Sequence, residues 1–326
     1  MDNQVRTRWL PGGAMSRYLH GGSLLLWVVS LAALQAQEQP TFRTQARLVV
    51  LQATVTNGRG ALVTNLERDA FTVREDGKPQ PITLFGRDDV PVSVGILIDN
   101  SGSMRNKRQK VEAAALAFVR ASNPQDEVFV MNFADEPHLD VPFTTSIATL
   151  EAGISRADAI GGTAMRDAVD AAADYLTAHA TKDRRALLVV TDGQDNASVT
   201  SLHRVRRKLE RSGTVIFAIG LLTGESSAHA ARARHELEEC AEMTGGQAFF
   251  PERVEEIDAT ILDVAHQLRN QYTIAYAPQN QVLDGSYRKI QVSARNAERL
   301  LVRTRAGYLA SRDPSDPAPH APIRRR

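Results

Sequence analysis

From residue 92 to residue 268, strand-like segments alternate with segments of helical periodicity, and this alternation restricts the fold more than any other feature. The first strand is expected at residues 92–98, which are almost entirely apolar. The helix after it has one apolar face, made of Val111, Ala114, Ala115, Phe118 and Val119. The pattern recurs, with strands expected at residues 128–133, 186–191, 215–222 and 247–250. We therefore predict an α/β fold with a doubly wound, mostly parallel, Rossmann-like sheet between two layers of helices.

The segments on both sides of this α/β region alternate with the period of a β-strand. Residues 48–56 predict one strand, and residues 71–73 and 82–85, on either side of the turn Asp76-Gly77, predict a hairpin. Alternation returns at residues 272–276 and continues to the end of the β-rich flank. Each flank has about 40 to 50 residues, a size at which a separate core is marginal. We predict that the flanks pair into one small all-β sandwich with the α/β domain inserted between them.

The first 36 residues have the composition of a secretory signal peptide. Three arginines precede an apolar run at residues 24–34, and the polar Gln37 follows Ala36. The run is shorter than the roughly 20 residues of a membrane span, and an uncleaved anchor is the alternative. No cysteine stands directly after this run, so a lipobox is excluded. We expect export to the periplasm or the exterior, with no transmembrane anchor after cleavage, and with Met1 or Met15 as the start.

These patterns give five segments along the chain. We expect the signal peptide at residues 1–36, the two halves of the sandwich at residues 37–90 and 271–310, and the α/β domain at residues 91–270. Residues 311–326 hold four prolines and end in three arginines, so we expect a disordered tail.

Charge and cysteine content exclude two classes of protein. The 326 residues carry 39 basic and 38 acidic side chains, and loss of Arg6, Arg8, Arg17 and Asp2 with the signal peptide brings the net charge from +1 to about −1. Electrostatic attraction to nucleic acid is therefore not expected. The only cysteine, Cys240, rules out an internal disulfide framework and is expected in the core, in line with apolar helix positions.

Oxygen-bearing side chains follow two strands of the predicted sheet. The first strand runs into Asp99-Asn100-Ser101-Gly102-Ser103, and the strand at residues 186–191 runs into Asp192. Thr163 follows two glycines at the start of a helix. Ligands of open α/β sheets bind beyond the carboxyl ends of strands, where the strand order reverses. If the two strands are neighbours there, five oxygen ligands converge, namely Asp99, Ser101, Ser103, Thr163 and Asp192.

This ligand set selects a hard cation. Carboxylate, hydroxyl and water ligands suit Mg²⁺, Mn²⁺ or Ca²⁺, whereas the absence of His and Cys disfavours zinc and copper. A small octahedral Mg²⁺ would keep one position for water or an outside anion, which an Asp or Glu of a partner protein could fill. The alternative is that the Asp99–Ser103 segment only caps a helix.

These residues resemble the von Willebrand factor A (VWA) domain with an intact metal-ion-dependent adhesion site (MIDAS). The motif Asp99-x-Ser101-x-Ser103, with Thr163 and Asp192, matches in kind, order and strand context over roughly residues 90–270. The flanking segments 71–78, 287–290 and 305–308 resemble the secreted VWFA-related family best known from acidobacteria. The resemblance implies that the serines and the threonine ligate the metal directly and that the aspartates often act through water. It also implies adhesion-type binding of a protein ligand.

Four residues are candidates for the rim that contacts a partner: Met104, Asp135, Arg166 and Asp195. They lie in or beside loops expected at the same sheet edge, although loop acids are more often only solvated.

Three classes of function remain open. The first is an exported, non-enzymatic, metal-dependent protein-binding module. The second is a structural or assembly module whose metal only braces the fold. The third is a metal-assisted hydrolase, which is less favoured because Ser101 stands where a haloacid-dehalogenase-type phosphatase has its second aspartate. Nucleotide-binding and acyl-transfer motifs are absent from the sequence.

Overall fold

The computed structural model describes residues 48–154, 160–223, 226–296 and 299–311. The predicted signal peptide and nearly all of the predicted tail lie outside these residues. Within them, no helix combines the length and the apolar character that crossing a membrane requires.

The described elements alternate as the sequence predicts. The strands are β1 (Val49–Asn57), β2 (Phe71–Glu75), β3 (Lys78–Gln80), β4 (Ile82–Gly86), β5 (Val92–Asp99), β6 (Glu127–Phe133), β7 (Pro137–Thr144), β8 (Arg184–Thr191), β9 (Val215–Gly220), β10 (Gln247–Phe249), β11 (Tyr272–Tyr276), β12 (Tyr287–Ala294), β13 (Leu300–Arg303) and β14 (Gly307–Leu309). The helices are α1 (Arg108–Ala121), α2 (Ile147–Ile154), α3 (Met165–His179), α4 (Leu202–Ser212), α5 (Ser227–Thr244) and α6 (Ile257–Arg269).

The central sheet is doubly wound, as predicted. Its strand order is β10-β9-β8-β5-β6-β7, and every pairing is parallel except that of β6 with β7. Helices α1, α2 and α6 cover one face with one apolar core, and α3, α4 and α5 cover the other face with a second core. All eight residues of β5 are buried because this strand is central and covered on both faces. The strand order reverses at β5, which marks its carboxyl end as the place for a ligand.

Local sequence signals set the ends of the helices. The Ser201 side chain accepts a hydrogen bond from the backbone N–H of Arg204 at the start of α4, and Ser226 accepts one from His229 at the start of α5. Gly213 ends α4 in the left-handed conformation that glycine adopts without steric penalty.

The flanks form the predicted sandwich. Two four-stranded antiparallel sheets, β13-β1-β11-β4 and β14-β12-β2-β3, each combine strands from before and after the α/β domain. Their facing sides share one core, in which the rings of Phe71 and Tyr272 lie 4.9 Å apart. Tyr276 and Tyr308 donate hydrogen bonds of 2.7 and 3.0 Å to Oε2 of the buried Glu75. Neither flank has this core without the other, which explains the insertion.

A buried arginine forms hydrogen bonds with both connections between the sandwich and the α/β domain. Arg184, the first residue of β8, donates to the carbonyl of Val90 at 3.1 Å and to the carbonyl of Leu268 at 2.6 Å. It also donates to Oε1 of Gln271 at 2.7 Å, and Gln271 in turn donates to Oγ1 of Thr54 in β1 at 3.2 Å. The chain therefore enters and leaves the α/β domain through one hydrogen-bonded network.

The structure differs from the sequence prediction in one strand pairing and in elements that the prediction lacked. The predicted hairpin of residues 71–73 with 82–85 is wrong, because β2 turns at Asp76-Gly77 into the short β3, whereas β4 pairs with β11 in the opposite sheet. The proline at position 81, which has no N–H to donate, separates β3 from β4. The prediction also lacked β7 and α2. Strand β7 was not predicted because it is an edge strand with two prolines and only one buried residue.

Candidate functional site

The carboxyl ends of β5 and β8 bring two carboxylates to one edge of the sheet. Asp99 is the last residue of β5, and Asp192 directly follows β8. The two strands are parallel neighbours, with Ile98 paired to Val190 one residue before each strand ends. This adjacency meets the condition on which the sequence-based site depends.

Hydrogen bonds join the Asp99–Ser103 loop to Asp192. The backbone N–H of Ser101 donates to Oδ1 of Asp99 at 2.8 Å. The hydroxyl oxygens of Ser101 and Ser103 lie 3.1 Å apart, and the Ser103 hydroxyl donates to Oδ1 of Asp192 at 2.7 Å. Four of the five candidate ligands thus form one continuous set of contacts.

The loop that carries Thr163 lies against the first loop. The N–H of Gly102 donates to the carbonyl of Gly161 at 3.2 Å, and the N–H of Ile160 donates to the carbonyl of Asn100 at 3.0 Å. The Thr163 hydroxyl oxygen lies 3.9 Å from the position that a Cβ on residue 193 would take, so it faces the residue after Asp192. All three loops therefore meet at one edge of the sheet, and the role of their five residues as metal ligands stays a prediction.

Burial and charge make this edge suitable for a cation. Asp192 is fully buried and Asp99 nearly so, whereas Ser103 is exposed at the mouth. Burial raises the pKa of Asp99, hydrogen bonds from Thr191 and Ser101 lower it, and the negative charge of Asp192 raises it further. Two buried carboxylates that repel each other are stabilised by a shared positive charge. The carboxylate and hydroxyl donors fit Mg²⁺, Mn²⁺ or Ca²⁺.

Two further residues, which the sequence prediction did not include, contact the carboxylates. Thr191, which is fully buried, donates its hydroxyl to Oδ2 of Asp99 at 2.6 Å. The ammonium of Lys107 lies 2.6 Å from Oδ2 of Asp192 and 3.2 Å from the carbonyl of Leu221. The sequence held no local signal for Lys107, because its contact joins residues that are 85 positions apart.

Two of the four predicted rim residues are not available to a partner. Met104 is only 1% exposed, because the 3₁₀ helix Gly102–Asn106 turns its side chain into the core, so its assignment to the rim is wrong. The carboxylate of Asp195 is buried and accepts hydrogen bonds of 2.8 Å from the backbone and the guanidinium of Arg166, so it too is wrongly assigned. Asp195 instead holds the start of α3 in place.

The other two rim candidates remain accessible. Asp135 is exposed, and its carboxylate accepts a hydrogen bond of 2.8 Å from the N–H of Gly162. A side chain at position 161 would collide with this carboxylate, with its Cβ 2.5 Å from Oδ2, and Gly161 has a φ of 98°. Arg166 is one-quarter exposed. Contact of either residue with a partner stays a prediction.

Two exposed apolar side chains belong to loops at this edge. Ile160 lies in the loop that contacts Asn100, and it is well exposed. Val199 is 94% exposed, and its backbone is fixed by a hydrogen bond of 3.0 Å to the carboxylate of Asp167 in α3. Exposed branched apolar side chains on an ordered backbone suit contact with another protein.

The central part of the chain matches a known protein family. Residues 94–194 match the model of the von Willebrand factor type A domain, a range that includes all five candidate ligands. A von Willebrand factor A protein from Catenulispora acidiphila has a similar structure, with a TM-score of 0.50 and 14% identity over 83% of this chain and 74% of that one. Residues 94–194 are therefore the part of the chain that is similar to a VWA domain. A comparison with curated protein sequences found no significant match.

Two structures from the mussel byssus are also similar. Proximal thread matrix protein 1 matches with a TM-score of 0.47 and 20% identity over 60% of this chain and 51% of that one. The same protein with a zinc-occupied MIDAS motif matches with a TM-score of 0.49 and 21% identity over 60% of this chain and 50% of that one. This chain therefore spans about half the length of the byssus protein.

Proposed function

We propose that this protein is an exported, divalent-metal-dependent protein-binding module of the adhesion type. Asp99, Ser101, Ser103, Thr163 and Asp192 would hold Mg²⁺, or Mn²⁺ or Ca²⁺, and an Asp or Glu side chain of a partner would complete the coordination. The observation that carries the proposal is the pair of buried carboxylates connected through the Ser101 backbone N–H and the hydroxyls of Ser101 and Ser103, with Ser103 open to solvent. The family match supports the domain type.

The bound metal would keep one coordination position open, and its positive charge would attract an anion to that position. The chain's own residues do the rest, because the hydroxyl oxygens of Ser101 and Ser103 lie together beside Asp192, and burial keeps water away from Asp99 and Asp192. Buried anions need a counter-charge, which a bound cation provides. A carboxylate is the side chain that such a cation attracts most strongly from outside.

The surroundings of the mouth favour a protein partner. Ile160 and Val199 offer apolar contact area in two of the loops at this edge, and the Arg166 side chain, although paired with Asp195, is one-quarter exposed there. An acidic side chain on the metal with apolar contacts around it gives both orientation and affinity. We place the protein outside the cytoplasm because of the predicted signal peptide, and we propose a binding role, not an enzymatic one.

The first test is calorimetric titration of Mg²⁺, Mn²⁺ and Ca²⁺ into EDTA-treated protein, residues 37–326. Wild type should bind one ion, and Asp99→Asn should lose binding by at least roughly tenfold because a buried carboxylate ligand is neutralised. Glu136→Gln is the matched control, since Glu136 is an exposed acid at the same edge, and it should bind as wild type does. Absence of saturable binding in wild type would contradict the proposal.

A second test separates the binding module from a structural module. Peptide arrays that carry Asp or Glu, with matched Asn or Gln peptides, are probed with and without EDTA. Binding to the acidic peptides alone, and only with metal, supports the proposal. If metal binds and raises stability but partner binding ignores both the metal and the acid, the structural alternative is favoured.

A further inference from the structure

We infer that Lys107 is a tethered cation that competes with the divalent metal for Asp192 and so weakens metal binding until a partner's carboxylate arrives. This inference rests on the proposed function and deepens it. It assigns to one lysine both the stability of the metal-free protein and the dependence of metal affinity on the partner.

Two specific acceptors hold the Lys107 ammonium. It lies 2.6 Å from Oδ2 of Asp192 and 3.2 Å from the carbonyl oxygen of Leu221, the residue after β9. The lysine side chain is 20% exposed and the aspartate side chain is fully buried. Solvent screens this ion pair little, because one of its partners is buried. The positive charge of Lys107 therefore acts strongly on the candidate metal site.

The contacts of Asp192 show why the lysine and a metal compete. Its Oδ1 accepts the hydrogen bond of Ser103, and its Oδ2 accepts that of Lys107. The lysine halves the negative charge of the pair Asp99 and Asp192. It also places a positive charge on the carboxylate that a cation would use. A divalent ion must therefore bind against this repulsion or displace the ammonium.

The same ion pair stabilises the protein without metal. A fully buried carboxylate with no counter-charge is strongly destabilising, so Lys107 replaces the metal when the metal is absent. The carboxylate of a partner adds a negative charge at the mouth, and this charge offsets the positive charge of Lys107. Metal and acidic partner should therefore bind cooperatively, each raising the affinity for the other.

The test compares Lys107→Met with Lys110→Met, which removes the same charge from an exposed position in the first turn of α1, the helix that Lys107 precedes. Mg²⁺ titration by calorimetry should show at least roughly tenfold tighter binding for Lys107→Met, whereas Lys110→Met should stay within about twofold of wild type. Urea unfolding in EDTA should show Lys107→Met as the less stable variant, with stability restored by Mg²⁺. Lys107→Gln, which keeps a hydrogen-bond donor, serves if the methionine variant fails to fold.

Each outcome assigns a cause. Tighter binding in the Lys107 variants than in wild type supports the inference. Wild-type binding with no gain in Lys107→Met or Lys107→Gln overturns the inference and leaves the proposed metal site standing. If no variant binds any of the three metals, the proposed function fails and the inference fails with it.

Discussion

Replacement of Thr191 by valine tests whether the second layer of the site holds Asp99 in place. The Thr191 hydroxyl donates to Oδ2 of Asp99 at 2.6 Å, and both side chains are almost completely buried. Valine has nearly the same shape, so the substitution removes the hydrogen bond and leaves the packing largely intact. One oxygen of a buried carboxylate then has one donor fewer.

The expected loss follows from the charge of the acceptor. A hydrogen bond to a charged group contributes about 1.5 to 3 kcal/mol, more than one between neutral groups. We therefore expect Thr191→Val to lower the free energy of unfolding of the metal-free protein by about 2 kcal/mol at neutral pH. Since this bond lowers the pKa of Asp99, the loss should shrink as the pH falls through the native pKa of Asp99.

Thr214→Val is the matched control. Thr214 is also buried, at 1% exposure, but among the described residues its hydroxyl has no hydrogen-bond partner. The same substitution there should be neutral or slightly stabilising, within about 0.5 kcal/mol of wild type. Urea denaturation in EDTA, followed by circular dichroism, measures both variants. Equal losses in the two variants would refute the argument that the bond to Asp99 is the cause.

Two further predictions concern buried groups away from the site. Cys240 is buried in the core, and burial raises its pKa to about 12. Iodoacetamide at pH 8 should therefore label this thiol only after unfolding. Rapid labelling of the native protein would contradict this prediction. Tyr276→Phe removes one of two hydroxyls that donate to Glu75, and should lower the free energy of unfolding by about 1.5 to 3 kcal/mol in urea titrations, while the exposed Tyr287→Phe should change it little.

Local patterns in the sequence were sufficient for much of the fold. The five apolar residues predicted on one face of α1 are all buried, because helical periodicity and burial are set by the same geometry. The pairing of the two flanks followed from size alone, since neither could form a core. The types and order of the five candidate ligands were also visible, because strand ends and turn residues are local signals.

Long-range packing decided the remaining features. Met104 follows Ser103 directly in sequence, yet the 3₁₀ turn places the Met104 side chain in the core and the Ser103 hydroxyl against Asp192 at the candidate site. Strand β4 does not form the expected hairpin, because it pairs with β11, which is distant in sequence. Contacts of this kind depend on which elements become neighbours, and periodicity within one segment does not report that.

The sequence by itself therefore determined the α/β domain, the sandwich around it and the types of ligand available. The tertiary structure decided that β5 and β8 are neighbours, so that Asp99 and Asp192 share one edge, and that Lys107 reaches Asp192 across 85 residues of sequence. The physical reason is that the sequence specifies which side chain stands at each position, whereas the charges around that side chain depend on every element packed against it.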